Sequence, residues 1–242
     1  MIECSDKKTV FRFKEFEMRN ADSAMKISTD SVILGAWVDV KGVRTAIDAG
    51  SGTGLLSLML AQRGVSKILG VELEKRAYNE SLYNREHSLW NAAICFINDD
   101  ISNLELPQVD LVISNPPYFD YGRSAIVSPR ESKKLARHEA SLSYSWLLEN
   151  ARNILDPAIG RLSFISPAER EEEIQFLSRL HSLHLSRKVF VYSSPKKRTA
   201  RILWDFRLHD SVLKEGELFI HDESGDYTQS YINLTKDFYV KF

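Results

Sequence analysis

The chain has only two cysteines, Cys4 and Cys95, in neither a C-x-x-C pair nor a zinc-ligand pattern. That excludes a disulfide scaffold and suits a reducing compartment. No apolar run approaches the roughly 18 residues a transmembrane helix needs. The first residues, with Asp6, Lys7 and Lys8, are followed by no apolar stretch of the kind a secretory signal carries. A cytoplasmic protein with no membrane partner is expected. An excess of charge of either sign is also missing. The formal net charge is −1, so a nucleic-acid partner would have to be met by local basic patches. No internal repeat, low-complexity tract or interdomain linker is visible. A length of 242 residues with 43% hydrophobic side chains suits one α/β domain of ordinary core size.

What is present centres on Val109-Asp110-Leu111-Val112-Ile113-Ser114-Asn115-Pro116-Pro117-Tyr118. Its apolar part is continuous rather than alternating, as in a parallel strand covered on both faces. The two prolines cannot donate ladder hydrogen bonds, and Pro116 holds Asn115 extended, so the strand must end where the Asn side chain emerges. Ligands bind at such carboxyl ends in open α/β sheets. The Asn115 carboxamide oxygen and the Pro116 carbonyl are two acceptors on a stiff frame, suited to the two N–H donors of an amino group. Tyr118 offers an aromatic face for a planar base or amide. A strand-end turn alone would also explain two prolines, so a second site upstream is needed.

Residues 44–60 read as strand, glycine turn and helix. The turn is G-x-G-x-G at Gly50, Gly52 and Gly54, with Leu55 where a dinucleotide fingerprint would place its last glycine. A ligand can lie close on such a backbone, but a pyrophosphate-binding reading is weakened. A second strand, 67–72, ends in Glu72, about twenty residues beyond the turn, the spacing at which a carboxylate accepts ribose hydroxyls. Glu74 opens a charged, solvated helix over 74–90. A third strand, 94–97, ends at Asn98-Asp99-Asp100, where Asp100 could accept from an adenine amino group.

Elsewhere, residues 9–16 alternate as an edge strand would. Thr29 and Asp30 precede an apolar helix over 32–38 and read as its N-cap; beside Lys26 they leave room for a ligand role. Residues 119–143 lack periodicity and carry Arg123, Arg130, Lys133 and Lys134, as either a substrate loop or a solvated one. A helix over 144–155, a strand over 160–165 and a helix over 167–181 follow, the last with acids at its positive end. His181 and His184 lack a third ligand, so no metal is expected. Two final strands, 185–192 and 201–208, flank a basic connection with Lys196, Lys197 and Arg198, either a solvated turn or a phosphate contact. The tail aromatics Tyr227, Tyr231, Phe238 and Tyr239 read as packing.

Strand–GxGxG–helix, strand–Glu, strand–Asp and strand–NPPY, in that order, resemble the class I S-adenosylmethionine-dependent methyltransferases, and NPPY resembles the subset acting on amino or amide nitrogen. The segments KISTDSVILGAWV, SNPPY and YTQSYINLTKDFYVKF further resemble the bacterial tRNA(Val) adenine-N6 methyltransferase family, which modifies the adenine 3′ of the anticodon. The resemblance implies a Rossmann-like, seven-stranded doubly wound sheet with a terminal antiparallel hairpin. Residues 1–242 would form a single methyltransferase domain in which 1–40 cap the cofactor. It implies S-adenosyl-L-methionine as cofactor, bound by Lys26, Thr29, Asp30, Asp48, Gly50, Gly52, Gly54, Glu72, Asp100, Ile101 and Asn115. Asn115, Pro116, Pro117 and Tyr118 would serve catalysis. tRNA would be the partner, contacted through Arg123, Arg130, Lys133, Lys134, Lys196, Lys197 and Arg198. The same tetrapeptide also fits a DNA adenine-N6 methyltransferase or a protein-glutamine methyltransferase of the release-factor type. Against these, little chain remains for a DNA-recognition domain, and no helical domain precedes Gly50.

Overall fold

A computed structural model describes residues 10–21, 23, 27–117 and 142–242, with the backbone alone at 197–199. A short antiparallel pair, β1 (Val10–Arg12) and β2 (Glu17–Arg19), precedes helix α1 (Thr29–Trp37). Then come β3 (Thr45–Ala49), α2 (Leu55–Gln62), β4 (Lys67–Val71), α3 (Lys75–Glu86), β5 (Ile94–Ile97) and β6 (Leu111–Ser114). Helix α4 (Tyr144–Ile154), β7 (Arg161–Pro167), α5 (Glu171–Leu180), β8 (His184–Ser194), β9 (Lys197–Arg207), β10 (Lys214–Phe219) and α6 (Gln229–Thr235) complete the described order.

The main sheet runs β10-β8-β9-β7-β6-β3-β4-β5. Its right half, β7 to β5, is parallel, which requires helical crossovers and cover on both faces. The strand sequences answer that requirement. Ala46 of β3 and Leu111 and Ile113 of β6 face α1 and α2, whereas Ile47, Ala49 and Val112 face α4 and α5. Ile113 and Val112 are wholly buried, each contributing about 1.5–3 kcal/mol. The chain order reverses between β3 and β6, so a crevice opens beyond their carboxyl ends.

The expected α/β class holds, with two differences in the sheet. It has eight strands where seven were expected. The additional one, β10, pairs parallel to β8, and most of its residues are exposed. Its sequence, KEGELF, lacks the apolar signature of an inner strand because it lies on an edge, where charge blunts further pairing. The terminal hairpin is also tighter than read. β8 and β9 meet at Ser194 and Lys197 across the turn Pro195-Lys196, so Lys197 and Arg198 belong to a strand rather than to a long connection. β9 runs antiparallel to β7 and closes that side of the sheet.

Two helix starts also differ from the reading above. α1 begins at Thr29, and its N-cap is Ser28, whose Oγ accepts from the Ser31 N–H at 3.1 Å. Thr29 and Asp30 lie inside the first turn, so neither is the cap. The helix after β7 is split: a 3-10 turn, Ala168–Arg170, precedes α5, whose Glu171, Glu172 and Glu173 lie in the first turn.

Candidate active site

The glycine turn leaves β3 and enters α2 with φ of +69° at Gly50, +55° at Gly52 and +89° at Gly54. A side chain resists this left-handed backbone, which explains the triplet. A Cβ at Gly54 would meet Phe96 Cζ at 2.8 Å, whereas one at Gly52 would meet nothing within 4 Å. Gly54 is therefore required by packing as well as by conformation, and Gly52 faces open space. The Gly50 and Ser51 N–H groups donate to the Val71 carbonyl at 2.9 and 3.0 Å, tying the turn to the end of β4.

Glu72 follows directly, buried at 9% exposure. Its Oε2 accepts from the Gly52 N–H at 2.8 Å and its Oε1 from the Glu74 N–H at 2.7 Å. Hydrogen bonds to a charged group are worth about 1.5–3 kcal/mol each, so the carboxylate is held in one plane against the turn. Asn98, just after β5, donates to the Glu72 and Leu73 carbonyls at 2.8 and 3.1 Å and fixes the neighbouring loop. Asp100 caps the 3-10 turn Ile101–Asn103, its Oδ1 accepting from the Ser102 N–H and hydroxyl, and Ile101 is buried.

Beneath the turn, Asp48 is fully buried. Its Oδ2 accepts from the Ser57 N–H at 3.0 Å and the Ser57 hydroxyl at 2.7 Å, while among the described residues Oδ1 has no partner. Burial pushes its carboxyl up to about 7, and the nearby Glu72 charge adds to this against the Ser57 hydrogen bonds. A buried acid with an orphaned oxygen is suited to a cationic donor.

Asn115 stands at the carboxyl end of β6, next to β3 in the sheet. Its Nδ2 donates to Ser31 Oγ at 2.8 Å and lies 3.3 Å from Ser28 Oγ, so the carboxamide is held between the strand end and the first turn of α1. The Ser114 hydroxyl donates to the Ala49 carbonyl at 2.7 Å and joins the two strand ends. Pro116 is buried and Pro117 half-buried. Tyr118 and Lys26 lie outside the described residues, as do Arg123, Arg130, Lys133 and Lys134. Thr29 is exposed, and Asp30 Oδ2 is 3.2 Å from Arg201 Nε. Lys196 Nζ donates to the Glu223 carbonyl at 3.2 Å, and the side chains of Lys197 and Arg198 are not described.

The structure thus gathers Asp48, Gly50, Gly52, Gly54, Glu72, Asp100, Ile101 and Asn115 at the carboxyl ends of four adjacent strands. It adds residues that the sequence reading passed over. Helix α3, read as a solvated face, buries Glu80 and Asn84. Glu80 accepts from the Ala21 and Ser23 N–H groups at 2.6 and 3.1 Å. Asn84 donates to the Arg19 and Thr53 carbonyls at 3.0 and 2.9 Å, so α3 ties the end of β2 to the glycine turn. Their i, i+4 spacing was the available signal, but a charged helix hides one polar buried stripe among exposed ones. Ser28, Ser31 and Ser57 carried no signal, since isolated serines are common in loops and helix starts.

Among the described residues no three His, Cys, Asp or Glu side chains cluster as a metal site, and no helix is long and apolar enough to cross a membrane.

Comparison with known proteins agrees with this geometry. The Methyltransferase small domain family matches residues 19–129. The crystal structure of a predicted O-methyltransferase, protein Atu636 from Agrobacterium tumefaciens, superposes with a TM-score of 0.64 at 18% identity, covering 86% of this chain and 96% of that one, and so shares the fold. The tRNA1(Val) (adenine(37)-N6)-methyltransferase of Haemophilus influenzae strain PittGG is 37% identical over 237 residues, 96% of this chain and 99% of the relative. The protein of that name from Tolumonas auensis is 34% identical, over 96% of this chain and 97% of its own length. With that identity sustained along both chains, this protein belongs to the tRNA1(Val) (adenine(37)-N6)-methyltransferase family.

Proposed function

We propose that this chain methylates the exocyclic N6 of adenine 37, beside the anticodon of tRNA(Val), using S-adenosyl-L-methionine. The observation that carries the reading is the Asn115 carboxamide, locked to α1 at the end of β6, one strand from the glycine turn that ends β3.

The residues present fit the cofactor. The Gly52 backbone faces open space, Glu72 presents an oriented carboxylate for ribose hydroxyls, and the orphaned Asp48 oxygen suits the ammonium of the methionine moiety. Asp100 and Ile101 would take the adenine edge, and Lys26, Thr29 and Asp30 belong to the segment, 1–40, that would cap the site. The hydrogen bonds of Glu80 and Asn84 to Arg19, Ala21 and Ser23 support such a cap. Bound there, the cofactor supplies a methyl group activated by its sulfonium.

The protein's own contribution is orientation. Asn115 Oδ1 and the Pro116 carbonyl would accept the two N–H bonds of the target amine, which turns its lone pair toward the glycine turn. Neither group is a strong base, so the amine proton stays hydrogen-bonded to these oxygens and leaves to water as the nitrogen becomes methylated. Tyr118 would stack on the target base, which an anticodon loop exposes at less cost than a duplex. With a net charge of −1, RNA contact would rest on local patches such as the β8–β9 turn.

The test is transfer of labelled methyl groups to bulk tRNA, DNA and release factor, followed by nucleoside mapping. Label should appear as N6-methyladenosine at position 37 of tRNA(Val). Incorporation into DNA or protein alone would overturn the reading.

A further inference from the structure

A carboxamide has two chemically opposite ends of nearly equal size, and the torsion that exchanges them is soft. An amino group approaching Asn115 brings donors and needs the oxygen. Something beyond the Asn-Pro-Pro sequence must therefore decide which end it meets.

The described contacts supply that element. Ser31 Oγ receives the Asn115 Nδ2–H at 2.8 Å and Ser28 Oγ lies 3.3 Å from the same nitrogen. The two hydroxyl oxygens are 3.0 Å apart, and Ser28 Oγ also accepts from the Ser31 N–H at 3.1 Å. When the Ser28 hydroxyl donates to Ser31, Ser28 Oγ has only a lone pair to offer Asn115, and Ser31 Oγ, which keeps its own proton, receives Nδ2–H in the same orientation, so the nitrogen end is turned to α1. Both hydroxyls belong to a helix start that is packed down. Ser28 is the N-cap of α1, and the next turn is anchored by Val32, Ile33 and Leu34, all wholly buried. In its first turn α1 is also joined to β9 through Asp30 and Arg201. A polar group supported by rigid elements holds its partner to the tolerance that group transfer needs.

We infer that Ser31, backed by Ser28, is the positioning residue that aims the Asn115 carboxamide oxygen at the target amine. This deepens the proposed function and rests on it. Ser31 touches neither the acceptor base nor the methyl donor in this account; it acts through Asn115 alone.

The experiment compares parent, Ser31→Ala, Ser31→Thr, Asn115→Ala and the Ser31→Ala/Asn115→Ala double variant in single-turnover methylation of tRNA, with cofactor affinity measured separately. Ser31→Ala should slow turnover on the order of 10- to 100-fold, the range expected when a reacting group is misplaced by about an ångström. Its affinities for cofactor and tRNA should stay within about twofold of the parent. Ser31→Thr, which keeps the hydroxyl, should recover most of the rate. In the Asn115→Ala background, Ser31→Ala should have no further effect, because residues acting as one unit are not additive. Two results would overturn the inference while leaving the proposed function intact. One is an undiminished rate in Ser31→Ala beside a strongly slowed Asn115→Ala; the other is the full Ser31→Ala loss repeated in the Asn115→Ala background. Parental turnover by Asn115→Ala would overturn the inference and the role assigned to Asn115 while the methylation itself stands; a parent that transfers no methyl group to tRNA would overturn the function and the inference together. Should Ser31→Ala not fold, Ser31→Gly, which also removes the hydroxyl, replaces it in the same cycle, with the same outcomes deciding.

Discussion

Asp30 and Arg201, 171 positions apart in the chain, meet at 3.2 Å, joining the first turn of α1 to β9 just after its basic turn. Their side chains are 23% and 31% exposed, so the pair lies between a surface ion pair and a buried one. We expect a coupling of about 0.5–1 kcal/mol in a thermal or urea double-mutant cycle of Asp30→Asn and Arg201→Gln. Strict additivity would show that the two side chains stabilise the fold independently.

The glycines of the turn should separate by readout. Gly52→Ala meets no neighbour but is forced to keep a positive φ, a cost of about 1 kcal/mol, and it puts a methyl group where the cofactor would lie. Gly54→Ala carries the same strain and also drives its Cβ into Phe96. Calorimetry should find Gly54→Ala the less stable of the two, whereas cofactor titration should find Gly52→Ala retaining its fold but binding weakly. An equal loss of stability at both sites would contradict the packing role of Gly54.

Asp48 makes stability depend on pH. Its carboxyl is raised in the folded state from an ordinary 3.8 to about 7, chiefly by burial. The unfolded chain thus releases this proton first. The contribution is complete below about pH 4 and is lost as pH rises through about 7. Without cofactor, the melting temperature of the parent should fall across that window more than that of Asp48→Asn, which has nothing to ionise. Parallel curves for the two proteins would mean that the acid is already ionised in the fold.

Asn115→Ala should lower single-turnover methylation by about a thousandfold or more, to a residual rate that can still be measured, while cofactor affinity changes by less than about threefold, since the carboxamide is assigned to the acceptor. Equilibrium binding and rate measurements on one preparation decide this. A collapse of cofactor binding would move Asn115 to the donor side of the site.

Replacing Lys196, Lys197 and Arg198 with Ala should weaken tRNA binding and reduce the slope of log affinity against log salt by about 2. An unaltered slope would return the β8–β9 turn to ordinary solvated structure.

Much of the architecture was legible because it rests on local rules. Continuous apolar runs at 45–49 and 111–114 announce inner parallel strands, the glycines require positive φ, and the prolines after Asn115 can only end a strand. The β10 edge was illegible for the converse reason. It is held by backbone pairing to β8, which needs no apolar code, so KEGELF looks like a loop. The α1 cap was misplaced by one or two residues, since Ser28, Thr29 and Asp30 are all competent caps and only the path of the chain selects among them.

The linear order of residues by itself determined the class of sheet, the glycine turn, the acid that closes on it and the rigid Asn-Pro-Pro corner, because each is a property of a few neighbouring residues. Only the tertiary structure decided that Ser31 would hold Asn115 from 84 positions away, that Arg201 would hold Asp30, and that Glu80 and Asn84 would bind the N-terminal segment. Those partners are polar pairs formed across the fold. A hydroxyl or carboxylate has the same chemistry in solvent as at a site, and burial beside one particular neighbour is what gives it a role.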